Sequence, residues 1–209
     1  MIQYDKTISN NTDNKIYEND SDESKEFLNK KYHCKNYLNS ILELIQRDKL
    51  FSNWTLYYHN DSNNWNQDSY NYIMNINSPS EFWKFYNYWC VINSASVFSG
   101  NYFFLMRDNI LPVWENPNNI NGGCWSIKVL RDKINKTWED ISLYTVCEIL
   151  CPEISSTIIG VSICLKKNGY GIIKIWKTNS QYNSLKLINK TILNKYGSNI
   201  IYIAHINES

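Results

Sequence analysis

Charge of one sign is missing from this chain. Lysine and arginine number 21 against 20 aspartates and glutamates, a net charge of +1 over 209 residues. Coating long nucleic acid needs several phosphate-neutralising cations on one face, so a balanced chain is a poor candidate for that task. It can still hold one nucleotide through a local cluster. Metal-ligand pairs are missing too. None of the six cysteines forms a Cys-x-x-Cys pair, and there are only three histidines. Cys147 and Cys151 fall at i, i+4 of an expected helix with no second ligand pair. No metal site and no cofactor are therefore expected, and the cysteines read as reduced, mostly buried thiols of an intracellular protein. No apolar stretch of about 18 residues could span a membrane, and no N-terminal apolar run reads as a signal peptide, so the cytoplasm is the expected compartment. The acidic residues are scattered, without the carboxylate cluster that metal-dependent or nucleophilic catalysis requires. Internal repeats and a parallel βαβ series are absent as well.

Aromatic residues are abundant: they make up 15% of the chain, with eight tryptophans and sixteen tyrosines. Two tryptophans stand in unusual settings. Trp65 lies in Asn63-Asn64-Trp65-Asn66-Gln67 and Trp114 in Pro112-Val113-Trp114-Glu115-Asn116. An indole flanked by polar residues cannot bury its whole ring without burying its neighbours, so it suits the rim of a site with one π face open. Two such rings on separate loops can grip a flat base, and Glu115 can accept hydrogen bonds from the base edge. That combination points to guanine, above all a methylated, cationic guanine. The high asparagine, lysine, isoleucine and tyrosine content reads as codon bias, without chemical meaning.

The pattern along the chain gives a polar tail over 1–24 expected to be disordered, a helical extension over 25–48, and one folded domain over 49–209. Leu38, Ile41, Leu42 and Ile45 give the extension an apolar stripe. Strands are predicted at 54–59, 70–76, 102–106, 125–130, 158–165, 171–176 and 199–204 from β-branched and aromatic runs. Helices are predicted from Ser78-Pro79-Ser80-Glu81 to Tyr88, from Trp138 to Leu150 with Thr137 as cap, and from Ser184 to Tyr196. Strands interspersed with helices give an α+β fold with helices on one face of the sheet.

These segments resemble the eukaryotic translation initiation factor 4E family, which binds the messenger RNA cap. The markers are Asn53-Trp54, Trp65, Glu81-Phe82-Trp83 with Tyr86-Asn87, Pro112-x-Trp114-Glu115, Gly122-Gly123-x-Trp125, Trp138 and Ile175-Trp176. The resemblance covers roughly 49–206. It implies a curved, mainly antiparallel sheet of about eight strands with three helices on the convex face, and the cap in the concave face. Trp65 and Trp114 match the family's stacking pair, Glu115 its guanine-reading carboxylate, and Trp176 the ring at the N7-methyl group. The implied partners are 7-methylguanosine-capped mRNA and a scaffold protein or repressor carrying a Tyr-x-x-x-x-Leu helix, received near Trp83; the implied protein is no enzyme, and a monomer.

Two regions depart from the family pattern. On the phosphate side Cys124 stands where a basic residue is usual, so an arginine there should add a useful cation. Lys166 or Lys167 can supply one phosphate contact, and Lys174, two residues before Trp176, points to the same sheet face as that ring and can supply another. On the partner side, Pro79 and Glu139 replace usual aliphatics, while Leu143 should still contribute. A carboxylate in an apolar groove is costly, so the standard motif should bind weakly or in a revised form. The extension itself reads Tyr37-Leu-Asn-Ser-Ile-Leu42, with the motif's spacing, and could pack on the back face near Trp83 and Leu143. The leading function is cap binding in translation initiation. A cap-binding repressor is the alternative, with a cap-processing enzyme and a carbohydrate-binding module as remote ones.

Overall fold

The computed structural model describes residues 49–94, 100–166 and 168–205. The expected polar tail and helical extension, with Tyr37 and Leu42, lie outside these residues. Seven strands form one sheet: β1 (Trp54–His59), β2 (Asn71–Ile76), β3 (Tyr102–Arg107), β4 (Gly123–Leu130), β5 (Ile158–Leu165), β6 (Tyr170–Lys177) and β7 (Ile200–Ala204). Their order across the sheet is β2-β1-β3-β5-β6-β4-β7, and every pairing is antiparallel. All seven predicted runs are strands. The family pattern suggested about eight, and the described residues hold seven.

The two faces separate by the period-2 pleat. Phe103, Leu105, Val161, Ile163, Ile173, Ile175, Trp125 and Ile127 form the buried convex side. The other face carries Tyr102 opposite Cys164, Phe104 opposite Ser162, Ser162 opposite Lys174, and Cys164 opposite Ile172. A face mixing lysine, serine and aromatic rings is not a core face; it is a floor for a ligand.

The described residues hold three α-helices: α1 (Pro79–Ser94), α2 (Ile134–Val146) and α3 (Lys190–Tyr196). The start of α1 behaves as its sequence demands. Ser78 Oγ accepts from the Glu81 N–H at 3.3 Å, and Glu81 Oε2 reaches back to the Asn77 N–H at 2.7 Å, a reciprocal cap with Pro79 at the first helical position. The other two helices differ from expectation. α2 begins four residues before Trp138, and Thr137 is no cap: its hydroxyl donates to Lys133 O at 2.9 Å inside the helix. It closes early because Glu148 turns left-handed at φ 60°. Cys147 and Cys151 therefore share no helix face. The expected helix over 184–196 is broken in two. Leu185–Leu187 forms a short 3₁₀ turn, and Asn189, extended, accepts from the Thr191 N–H at 2.9 Å and starts α3 afresh. Cys90, Cys124, Cys147, Cys151 and Cys164 are thiols without a disulfide.

The Gly122-Gly123 pair has a steric cause. A Cβ on Gly122 would lie 2.0 Å from Lys177 O, and one on Gly123 would lie 2.2 Å from the Tyr202 hydroxyl. The β3–β4 loop must therefore re-enter the sheet through glycine, which fixes the loop that carries Trp114 and Glu115.

Candidate functional site

A cleft of about 400 Å³ opens over the mixed face of the sheet. It is lined by Trp65, Trp114, Glu115, Trp176, Lys166 and Lys174 among others. These are all the residues expected to touch a cap, save Lys167, which lies outside the described residues. Side chains 111 residues apart in sequence thus meet in one space.

Each wall comes from a loop built by asparagine and aspartate side chains. In the β1–β2 loop, Asp61 Oδ1 accepts from the Asn63 N–H and Asn64 Oδ1 from the Asn66 N–H, both at 3.0 Å. The Trp65 Nε1–H donates to Ser62 O at 2.9 Å. The indole is 42% exposed. One face lies on His59, centroids 4.2 Å apart and planes 10° apart, and its body meets Tyr102 edge-on at 4.9 Å. In the β3–β4 loop, buried Asn119 donates from Nδ2 to Leu111 O at 3.0 Å and Val113 O at 2.5 Å, closing the loop around itself. Trp114 projects from it, 44% exposed, with His205 behind it at 4.6 Å. Asn119, His59 and His205 were not legible as site residues.

The floor is rigid. Trp176 is buried, and its Nε1–H donates to Ser162 Oγ at 2.9 Å. Phe104 meets it edge-on at 6.2 Å. Tyr70 closes the Trp114 side, donating to Pro112 O at 3.2 Å. Burial, and then the charge of Glu115, push its phenol up to about 12, so it stays a neutral donor. Lys166 sits with its ammonium 5.4 Å from the Tyr102 ring centroid, and Lys174 5.9 Å from that of Trp176. The cleft therefore has aromatic walls, one carboxylate at one side and two ammonium groups on its floor. It suits a flat base attached to an anionic tail.

The chain matches the family model of eukaryotic initiation factor 4E over residues 49–208. It belongs to that family. Among curated relatives, initiation factor 4E-3 of Caenorhabditis elegans is 30% identical over 104 residues, 49% of this chain and 40% of the relative. Initiation factor 4E of Candida albicans is 25% identical over 166 residues, 76% of this chain and 78% of the relative. The chain spans 40%, 59% and 42% of the first three curated relatives it matches. Among solved structures, Ascaris suum eIF4E-3 in complex with an m7G cap is similar at TM-score 0.65 and 21% identity, over 78% of this chain and 94% of that one. C. elegans eIF4E-3 with the 4E-binding protein Mextli and a cap analog gives 0.66 and 22%, over 77% and 94%. At these identities the structural likeness establishes the shared fold.

Two family positions look different in the folded 4E chain. Cys124 lies on the cleft side of β4, opposite Trp176, but it is only 1% exposed and does not line the cleft. Burial pushes its thiol up, with Lys174 and Lys177 pulling the other way. An arginine would have to displace packed neighbours to reach the cleft, which opposes the expectation that it would add a useful cation. On the back face, Leu143 is 1% exposed. Trp83 is half-buried and meets Tyr86 edge-on at 5.9 Å. The Tyr86 hydroxyl donates to Glu139 Oε2 at 3.0 Å, and Lys136 reaches Glu139 Oε1 at 3.2 Å. Glu139 is thus satisfied within the chain. Among the described residues no helix is long and apolar enough to cross a membrane.

Proposed function

We propose that this chain binds the 7-methylguanosine cap of mRNA in the cleft and serves translation initiation. The base stacks between Trp65 and Trp114, Glu115 accepts from its N1–H and N2–H, Trp176 meets the N7-methyl group, and Lys166 and Lys174 take the phosphates. The observation that carries the reading is the convergence of these six side chains in one cleft of about 400 Å³. N7-methylation makes the base cationic, and two indole faces then add about 0.5–2 kcal/mol of cation–π attraction to plain stacking. A carboxylate facing a paired N–H donor edge adds charge-assisted bonds of about 1.5–3 kcal/mol that adenine cannot match. Family membership supports the same assignment, and the assignment places the chain in the cytoplasm, where capped mRNA is translated. Retention on immobilised 7-methylguanosine, released by free cap analogue but not by unmethylated GTP, is the expected result. Equal release by GTP would reject the reading and return it to a general nucleotide or sugar binder.

Trp83, Tyr86 and Glu139 form the surface we assign to a scaffold or repressor helix. Because Tyr86 and Glu139 are joined by a hydrogen bond, a partner there must break that bond or complement it with a donor of its own.

A further inference from the structure

Both indoles of the cleft walls, Trp65 and Trp114, are backed by a buried histidine, and both histidines have one ring nitrogen without a partner. His59 ends β1 and lies flat beneath Trp65 at 4.2 Å and 10°. Its Nε2 is 2.8 Å from the carbonyl oxygen of Asn64. His205 follows β7 and packs against Trp114 at 4.6 Å and against Trp176 at 5.2 Å. Its Nδ1 is 3.0 Å from the carbonyl oxygen of Asn119. A carbonyl only accepts, so in each ring this nitrogen carries the hydrogen. The other nitrogen, Nδ1 of His59 and Nε2 of His205, is buried and meets no hydrogen-bonding group. Neither ring lines the cleft.

We infer that His59 and His205 are positioning residues of the base-binding walls, His205 as a neutral imidazole, each closing the inner face of one indole and leaving that indole's π density to a cationic base on the outer face. The inference rests on the cap-binding reading of the cleft. A neutral imidazole supplies shape and dispersion, which fix the angle of the indole without drawing on its negative face. An imidazolium would draw on the same π face charge that attracts an N7-methylated base, and would set two like charges on opposite sides of one ring. It would also bury an N–H with no acceptor. A neutral guanine has no such competition to lose. Charged histidines would therefore reduce the preference for the methylated base more than they reduce stacking itself.

The surroundings of His205 hold it neutral. Burial pushes its imidazole down, the Asn119 carbonyl opposes this, and the ammonium groups of Lys174 and Lys177 on β6 push it down further. His59 faces the rings of Trp65, Tyr70 and Tyr102, with the Lys166 ammonium over Tyr102. Around His205 the Lys174 and Lys177 ammonium groups oppose a further positive charge.

The test measures affinities of the full chain for 7-methyl-GTP and for GTP by tryptophan fluorescence quenching, at pH 7.5 and pH 5.5. Relative to variants that cannot charge at position 205, the native chain should lose up to about tenfold in the ratio of the two affinities at the lower pH, the range of one cation–π contact. His205→Phe keeps a flat ring that cannot charge and should fall less. His205→Asn, whose amide can still donate to Asn119 O, gives the same comparison if phenylalanine disturbs the fold. Ionisation of the ligands is common to all variants and cancels in the comparison between them. At pH 7.5, His59→Ala should weaken 7-methyl-GTP at least about threefold through loss of ring support, and His59→Phe should restore it. An unchanged pH response in both His205 variants, or native affinity in His59→Ala, overturns the inference alone. Failure of the native chain to prefer 7-methyl-GTP at pH 7.5 overturns the cap reading, and the inference with it.

Discussion

Polar neighbours forced Trp65 and Trp114 outward, and that is why single residues could be read from the sequence. Their exposures of 42% and 44% contrast with fully buried Trp54, Trp125 and Trp138, whose neighbours alternate with core residues. Trp65→Ala, Trp114→Ala and Glu115→Ala should each weaken cap binding by at least about 1.4 kcal/mol with the fold intact, measured by titration against a cap analogue and checked by circular dichroism. Native affinity in all three would remove the assigned cleft from the function. Asparagine was misjudged: Asn64, Asn116 and Asn119 shape the two loops through their side chains. Asn119 and His205 escaped notice for a physical reason. Their bond joins positions 86 residues apart, and no local pattern marks it. Cys124→Arg now carries the opposite expectation from that of the sequence alone. Forcing a guanidinium into a buried site costs desolvation and overpacking, so melting temperature should drop and triphosphate affinity should not rise.

Elements were legible where capping and periodicity agreed, and were misplaced where tertiary contacts decided. The reciprocal Ser78–Glu81 cap fixed the start of α1. The end of α2 depends instead on Glu148, whose carboxylate is held by Arg107 at 2.7 Å and by Ser52 at 2.6 Å from distant parts of the chain. The break before α3 likewise follows from Asn189, which also donates to Ile149 O at 3.2 Å. Asp140 ties these helices together. Its Oδ2 accepts from Lys195 at 2.5 Å and Tyr196 at 2.7 Å, and its Oδ1 pairs with Lys136 at 2.9 Å. Burial pushes this carboxyl up, but the three donors outweigh it and hold it below the ordinary range. A carboxyl depressed in the folded state stabilises above its unfolded value and loses that stabilisation as pH falls through the folded one. Asp140→Asn should therefore cost about 1–3 kcal/mol at pH 7 and progressively less below about pH 4, read by urea denaturation at both pH values. A constant difference across pH would show that the charge has no part in docking α3.

At the scale of the whole molecule, the sheet separates a wet floor from a core that holds one unexpected charge. Lys177 is fully buried, its ammonium donating to Tyr182 O between the rings of Trp125 and Tyr202 at 4.0 and 4.4 Å. Sequence gave no hint of this, because Lys177 follows a strand that reads apolar and its aromatic box comes from β4 and β7. Burial pushes the ammonium down to about 8, with Cys151 and Cys124 pulling the other way. The same burial pushes the Cys147 and Cys151 thiols up to about 12. The two effects have opposite signs. Below pH 8 the folded chain carries the cost of a charged Lys177, and that cost is relieved as pH rises from about 8 toward the unfolded value of 10.5. The buried thiols stay protonated while unfolded thiols ionise near 9, so their contribution is full below 9 and is lost above it. Native stability should therefore fall on the alkaline side, while the lysine partly offsets the fall. Lys177→Met removes only the lysine contribution. Its stability relative to the native chain should be highest near pH 7 and should decline by on the order of 3 kcal/mol by pH 10.5, a change read from thermal melts of both proteins under reducing conditions. If the difference between the two melting curves does not change with pH, Lys177 is charged at no cost in the fold, and its aromatic box rather than burial sets its state.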